Sequence, residues 1–226
     1  MTTPQQDKIL AKACELYLSD GLKGFSMRKL AKTVGVTAPA LYRHYPSREQ
    51  LLIAVIGEAY RMFAQYIYRG LSGGSPAERL ERASTEYLDF ALENPEMYEM
   101  LYISPHHLGL DDYPPEVAEV AAATGQFWQD RIRECIQAGI FRDGDPDELS
   151  LTMWAHAHGL ITIYLRGMCP LVEDDFRMVY RQSGRRMMEG LAGPAWVAFG
   201  TGDSGGALGE AELPADVGAT TASMGS

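Results

Sequence analysis

The chain is 226 residues long, 46% hydrophobic and 22% charged, enough to bury a full core in one or two domains. Its net charge of −10 argues at first against a polyanionic partner. The distribution reverses that: the first 50 residues hold eight Lys and Arg against four acids, a balance of +4, which leaves −14 on the remainder.

Taken in order, Thr3-Pro4-Gln5-Gln6 opens a helix, with Thr3 as cap and Pro4 at the first helical position. Ile9, Ala13, Leu16 and Tyr17 form its inner stripe and Gly21 ends it. Ser26 caps a second helix with Leu30, Ala31 and Val34 on one side, and Gly35 sits where a tight turn needs positive φ. Thr37 caps a third helix over 38–44, with Pro39 in its first turn and Pro46 as its stop. Two short helices around a glycine turn make a helix-turn-helix pattern, whose second helix would lie in a DNA major groove.

Ser47-Arg48-Glu49-Gln50 then has capping-box spacing and starts a fourth helix running to about 69. Its early part packs on the first three helices and its later part faces other apolar residues, so one helix is shared by two bodies. Leu71-Ser72-Gly73-Gly74-Ser75-Pro76 breaks the chain before a helix over 77–93, and Asn94-Pro95 breaks it again before a shorter one over 96–103. A connector follows over 104–115, then helices over 116–138, 147–166 and 174–191, with a turn-rich break at 139–146. Past Gly193 apolar periodicity fades, and 196–226 reads as a flexible tail. No strand pattern or repeat occurs. The expected fold is all-α: a helix-turn-helix domain over 1–52, a helical domain over 53–195, and the tail.

Cys14, Cys135 and Cys169 are far apart in apolar helical surroundings and read as buried small hydrophobes rather than redox pairs. Met1 is followed by polar residues rather than a signal segment, and the longest apolar run, 153–165, contains two histidines and is too short to span a bilayer. A soluble, cytoplasmic protein with no membrane partner is expected. His106-His107 and His156-x-His158 diverge on a helix with no carboxylate or Cys at ligand spacing, so no metal and no cofactor are expected. No nucleophile–base signature or phosphate loop is present, so no catalytic residue is assigned.

Residues 8–52, above all Leu41-Tyr42-Arg43-His44-Tyr45-Pro46-Ser47-Arg48-Glu49, resemble the DNA-binding domain of the TetR/AcrR family of bacterial transcriptional regulators. Tyr45 stands where Phe is common and Arg48 where Lys is common, and both swaps keep the chemistry. The resemblance implies that Thr37, Ala38 and Ala40 face base edges, that Tyr42 and His44 bond phosphates, and that Arg28 and Arg43 are long donors able to reach a guanine. Ser26 and Arg48 would add phosphate contacts at helix N-termini. Tyr45 reads as a core aromatic.

The same resemblance implies a mostly apolar effector cavity among helices 4 to 8. Its lining candidates are Met62, Tyr66, Tyr87, Phe90, Met97, Tyr98, Phe127, Trp128 and Trp154, with Arg131 or a histidine as polar handle. Trp154 and His158 share one helix face, in a W-x-x-x-H-G arrangement that fits either the cavity or a dimer seam. The last two helices are apolar on more than one face, and the family pairs them across a twofold axis; Leu160, Tyr164, Phe176, Val179, Met187 and Leu191 are the seam candidates. The implied protein is a homodimeric repressor of a palindromic double-stranded DNA operator, released by a small hydrophobic or aromatic effector. The rivals are an activator or ligand-independent regulator, and an enzyme or carrier using the aromatic cavity.

Overall fold

The computed structural model describes residues 3–103, 105–108 and 112–196. Within them nine helices follow one another: α1 (Pro4–Gly24), α2 (Met27–Val34), α3 (Ala38–His44), α4 (Arg48–Arg69), α5 (Pro76–Glu93), α6 (Pro95–Met100), α7 (Pro115–Gln137), α8 (Pro146–Leu165) and α9 (Glu173–Gly190). Single 3₁₀ turns occupy Gly70–Ser72 and Pro105–Leu108. Among the described residues there is no strand, and a single bridge joins Phe141 to Ala192. The tail expected over 196–226 lies, past Trp196, outside the described residues, as do 104 and 109–111 of the connector.

The breaks fall where the capping chemistry puts them. The hydroxyls of Thr3, Ser26, Thr37, Ser47 and Ser75 each accept from the backbone N–H three residues on, at 3.2, 3.5, 3.3, 3.1 and 3.2 Å. Each such cap is worth about 1 kcal/mol. Gly35 closes α2 at φ 80°, and its N–H reaches the Ala31 and Lys32 carbonyls, so the chain reverses into α3 in two residues. Gly21 does interrupt α1, at φ 62°, but helical bonding resumes for one more turn to Gly24. The first helix is therefore kinked where the sequence suggested an end. The helix expected over 96–103 stops earlier, at Met100, because Leu101, Tyr102 and Ile103 tighten into bonds with carbonyls three residues back.

Burial follows the apolar stripes. Ile9 and Ala13 of α1, Leu30 of α2 and Leu41 of α3 have no exposed surface and close on Leu51, Leu52, Val55 and Ile56 of α4, which have none either. Further along α4, Phe63 and Ile67 pack on Tyr87 and Phe90 of α5, with Phe63 at 5.4 and 5.3 Å from the two rings. Each such side chain contributes about 1.5–3 kcal/mol on burial. One continuous apolar cluster thus runs from α1 to α9, with α4 as its spine. At the far end, the Gly193 N–H donates to the Ile140 carbonyl at 2.8 Å and the Arg142 N–H to that of Leu191 at 2.9 Å, tying the end of α9 to the α7–α8 turn. No helix among the described residues is long and apolar enough to cross a membrane.

Candidate nucleic-acid interface and effector cavity

The head presents α3 on a platform whose inner side is sealed. Leu41 and Tyr45 point into the core with Leu30, Ala31 and Val34, while Thr37, Pro39, Tyr42 and Arg43 are exposed and Ala38, Ala40 and His44 half-buried. Tyr45 is the core aromatic expected, and Tyr42, 45% exposed, points the other way. Arg28 is exposed at the start of α2, and neither it nor Arg43 makes an ion pair among the described residues. Lys29 differs: its ammonium is bound to Asp20, whose carboxyl is held below its usual range chiefly by that bond. Arg28 and Arg43 are therefore the long donors without an internal partner to leave.

Arg48 sits differently from expectation. Its Nη2 donates to the Leu22 carbonyl at 2.9 Å, its Nε to that of Phe25 at 3.4 Å, and its guanidinium stands 5.9 Å from the Phe25 ring. It clamps the start of α4 to the α1–α2 junction, an internal duty that the sequence motif alone did not distinguish from a phosphate contact. Ser26 likewise has its hydroxyl turned to the Lys29 N–H as a cap.

In the helical body, two spaces share a wall of Tyr87, Trp128, Ser150 and Trp154. One, a small pocket of about 50 Å³, lies between α5, α7, α8 and α9 and is completed by Leu80, Met153 and Tyr180. The other, about 310 Å³ and open to solvent, lies between α4, α5, α7 and α8, with Tyr60, Phe63, Tyr102 and Asp147. The Tyr87 and Trp128 rings meet at 90° with centroids 6.0 Å apart, forming a corner of the shared wall. A third, more polar cleft of about 280 Å³ lies beside α1, lined by Tyr17 and Gly21 with Glu96, Glu99, His158 and Arg166.

A chain of phenols joins these spaces. The Tyr87 hydroxyl pairs with those of Tyr102 at 2.7 Å and Tyr98 at 3.0 Å; the Tyr98 hydroxyl meets His158 Nδ1 at 2.7 Å; and His158 Nε2 lies 3.4 Å from the Thr162 hydroxyl. Burial drives the Tyr87 and Tyr98 phenols well above their ordinary range, so both stay protonated. Burial, aided by the positive charge of Arg166, holds His158 below its ordinary value, so it is a neutral imidazole able to accept from Tyr98.

The sequence-derived lining candidates divide on this geometry. Tyr87, Trp128 and Trp154 line the aromatic spaces, while Tyr98 and His158 line the cleft beside α1. Trp154 stacks on His158 at 5.4 Å and 17°, and Trp154 borders both aromatic spaces while remaining 39% exposed. Met62, Tyr66, Phe90, Met97, Phe127 and Arg131 line none of the three spaces. Phe90 and Met97 are core residues without exposed surface; Tyr66 turns its hydroxyl to Glu93 at 2.6 Å, under the Arg69 guanidinium. Arg131 is no free polar handle: Glu134 holds it at 2.5 Å and it lies over the Phe127 ring. Tyr60, Phe63, Tyr102, Met153, Tyr180 and Asp147 were not singled out by sequence, since an apolar stripe does not say which of its members border a gap.

The seam candidates divide too. Phe176 is 2% exposed, stacked on Tyr164 at 4.0 Å, and so belongs to the interior of one chain. Val179 is exposed, as are Ile163, Met168 and Val172 of α8 and the loop after it, while the exposed Leu151 borders the second space. Cys14 and Cys135 are buried and Cys169 is partly so; burial pushes the first two thiols up to about 12, which leaves them inert.

Two family descriptions match the chain: "Bacterial regulatory proteins, tetR family" over residues 9–55 and "Tetracyclin repressor-like, C-terminal domain" over 80–187. The HTH-type transcriptional regulator Rv1816 of Mycobacterium tuberculosis is 28% identical over 144 residues, 61% of each chain, so this chain spans about 61% of the length of that relative. The nucleoid occlusion factor SlmA of Marinobacter nauticus is 31% identical over 62% of this chain and 70% of its own. The HTH-type transcriptional repressor KstR of Mycolicibacterium smegmatis is 30% identical over 34% and 38%. A solved Rhodococcus sp. RHA1 protein of unknown function, 24% identical, superposes with a TM-score of 0.75 over 84% of this chain and 97% of its own, a likeness of fold. The capped α2–turn–α3 unit, the spine helix α4 and the cavity-bearing helical body agree with both matches: the chain belongs to the TetR family of bacterial transcriptional regulators.

Proposed function

We propose that this chain acts as a homodimeric, ligand-responsive repressor, with residues 1–52 as its DNA-reading domain and 53–195 as its effector and dimerisation domain. Two copies of α3 would enter successive major grooves of a palindromic operator, about 34–36 Å apart. Thr37, Ala38 and Ala40 would meet base edges, Tyr42 and His44 phosphates, and Arg28 and Arg43 would reach further. The observation that carries the reading is the double duty of α4. Leu51, Leu52 and Val55 at its start are sealed into the head, whereas Tyr60 and Phe63, two to three turns on, border the aromatic space.

A small hydrophobic or aromatic molecule in that space displaces α4, and α4 cannot move without the head. Ligand and operator affinities are then coupled reciprocally. The exposed apolar side chains Ile163 on α8 and Val179 on α9 support a twofold seam on these helices. The name of the KstR relative supports repression. A second reading, open from the sequence, is DNA binding without an effector.

The test is fluorescence anisotropy of the full chain on fragments selected from its host genome. A steep fall of log affinity with log salt, on a palindrome, supports DNA reading and sinks an enzyme or carrier role. Release by a cavity ligand supports the effector role, and binding that no ligand alters favours the second reading.

A further inference from the structure

The effector reading leaves the chemical class of the small molecule open, and the walls of the two joined spaces narrow it. Resting on that reading, we infer that the cavity selects a flat, lipophilic organic cation, an aromatic ring system bearing a quaternary or permanently charged nitrogen, over neutral and anionic molecules of the same shape.

Three observations carry this. First, the rings: Tyr60, Phe63, Tyr87, Tyr102, Trp128 and Trp154 all border the larger space. Ring faces carry the negative lobe of the quadrupole, and Trp is the strongest of them toward a cation. Second, the charge: among the described residues lining the two spaces, Asp147 is the one charged side chain. It is exposed in the first turn of α8, at the open edge, and makes no ion pair among the described residues. At that helix end the Asp145 side chain already accepts from the Asp147 N–H at 3.0 Å, so a second carboxylate stands against an anionic ligand there.

Third, no cation opposes the ligand. Arg131, one turn on from Trp128, is held by Glu134, which also pairs with Arg79 at 3.1 Å. His158, stacked behind Trp154 and 4.1 Å from the Tyr102 ring centroid, is kept neutral by burial. The Tyr87 phenol stays protonated, so the inner wall offers rings and hydroxyls rather than phenolates. A carboxylate ligand would meet Asp147 with no base to answer it and lose its hydration for nothing. A neutral ring would bury its surface yet forgo both the ring faces and Asp147. The −14 balance of the chain beyond residue 50 further raises the local concentration of cations.

The experiment titrates the full chain by isothermal calorimetry with three bicyclic probes of one shape: N-methylquinolinium, 1-methylnaphthalene and 1-naphthoate. The expected order is cation, then neutral, then anion, with the cation about tenfold or more ahead of the neutral ring. Asp147→Asn, an exposed change, should weaken the cation about two- to fivefold and leave the neutral ring unchanged. Trp128→Leu or Trp154→Leu, with thermal melts to verify folding, should weaken the cation about 10- to 30-fold. Equal binding of cation and neutral ring, preference for naphthoate, indifference to Asp147→Asn, or no binding of any probe would each overturn the inference. The same titrations on the operator complex separate it from the reading beneath it. A cation-selective cavity whose filling leaves operator affinity unchanged upholds the charge class and sinks the effector role. Release by 1-methylnaphthalene but not by the cation keeps the effector role and sinks the charge class.

Discussion

Tyr98→Phe tests the phenol chain directly, because it removes one oxygen and almost no apolar surface. The Tyr98 side chain is 1% exposed, and its hydroxyl joins Tyr87 at 3.0 Å to His158 Nδ1 at 2.7 Å. Deleting it leaves the imidazole acceptor without its donor, whereas Tyr87 keeps Tyr102 at 2.7 Å. His158 is half-buried at the edge of a cleft, so each of the two lost bonds costs about 0.5–1.5 kcal/mol and ~1–3 kcal/mol is expected in all. At about 2–4 °C per kcal/mol for a chain of this size, the thermal midpoint should fall by roughly 2–12 °C. Circular dichroism melts at one fixed protomer concentration measure it, since association shifts the midpoint as well. Tyr66→Phe is the control: its hydroxyl bonds Glu93 in an exposed setting, and its loss should stay within about 0.5 kcal/mol. A Tyr98→Phe melt indistinguishable from that of Tyr66→Phe would refute the claim that the phenol chain is a satisfied, buried network.

Arg48→Ala should lower stability by about 1.5–3 kcal/mol, read in urea melts, because it frees the Leu22 and Phe25 carbonyls; Arg48→Lys should recover only part, lacking the planar fork. Tyr42→Phe should weaken DNA binding evenly across operator variants, while Arg28→Ala should also relax the preference at one base pair, as anisotropy on a variant panel would show. Acid should disturb the chain at His158. Its folded value lies below the unfolded one, so the stability tied to the neutral ring is complete above about pH 6.5 and is lost as pH falls through the lowered value. That loss should appear as a pH-dependent melt that His158→Phe flattens. Val179→Glu and Ile163→Glu, both on exposed positions, should shift sedimentation toward a single chain without unfolding it.

Much of the head was legible because its signals are local. A hydroxyl three residues ahead of the N–H it caps and a glycine at positive φ declare themselves within one turn, as Ser47 and Gly35 do. Arg48 was not legible, since its partners are the carbonyls of Leu22 and Phe25, more than 20 positions back. The cavity was legible as a population of rings but not as a list. Phe90 and Tyr87 stand three apart on one helix, yet Phe90 is wedged against Phe63 and Tyr66 while Tyr87 meets a corner left by Trp128. Which ring borders a void depends on the crossing of three helices, and no window of sequence contains that. Phe176 shows the same limit: its ring partner Tyr164 comes from the neighbouring helix of the same chain, which a stripe on α9 does not reveal.

On the proposed effector role, two routes would lead from the aromatic space to the head, and they differ in what they would transmit. Along α4 the link is packing: Phe63 and Leu52 sit on one helix within one apolar cluster, so a ring inserted beside Phe63 would be felt as a tilt. Along the phenol chain the link is directional. Tyr102 borders the space, and the bonds run through Tyr87 and Tyr98 to His158, which borders the cleft where Tyr17 and Gly21 of α1 lie. A ligand group that takes the Tyr102 hydroxyl for itself would pull on that chain without moving α4. Gly21, the kink of α1, lines the same cleft as His158, with open space rather than a contact beside it. Removing Tyr102's hydroxyl should therefore leave ligand affinity for rings nearly intact while changing how strongly a bound ligand lowers operator affinity. If Tyr102→Phe changes affinity and coupling in the same proportion, packing along α4 is the sole route.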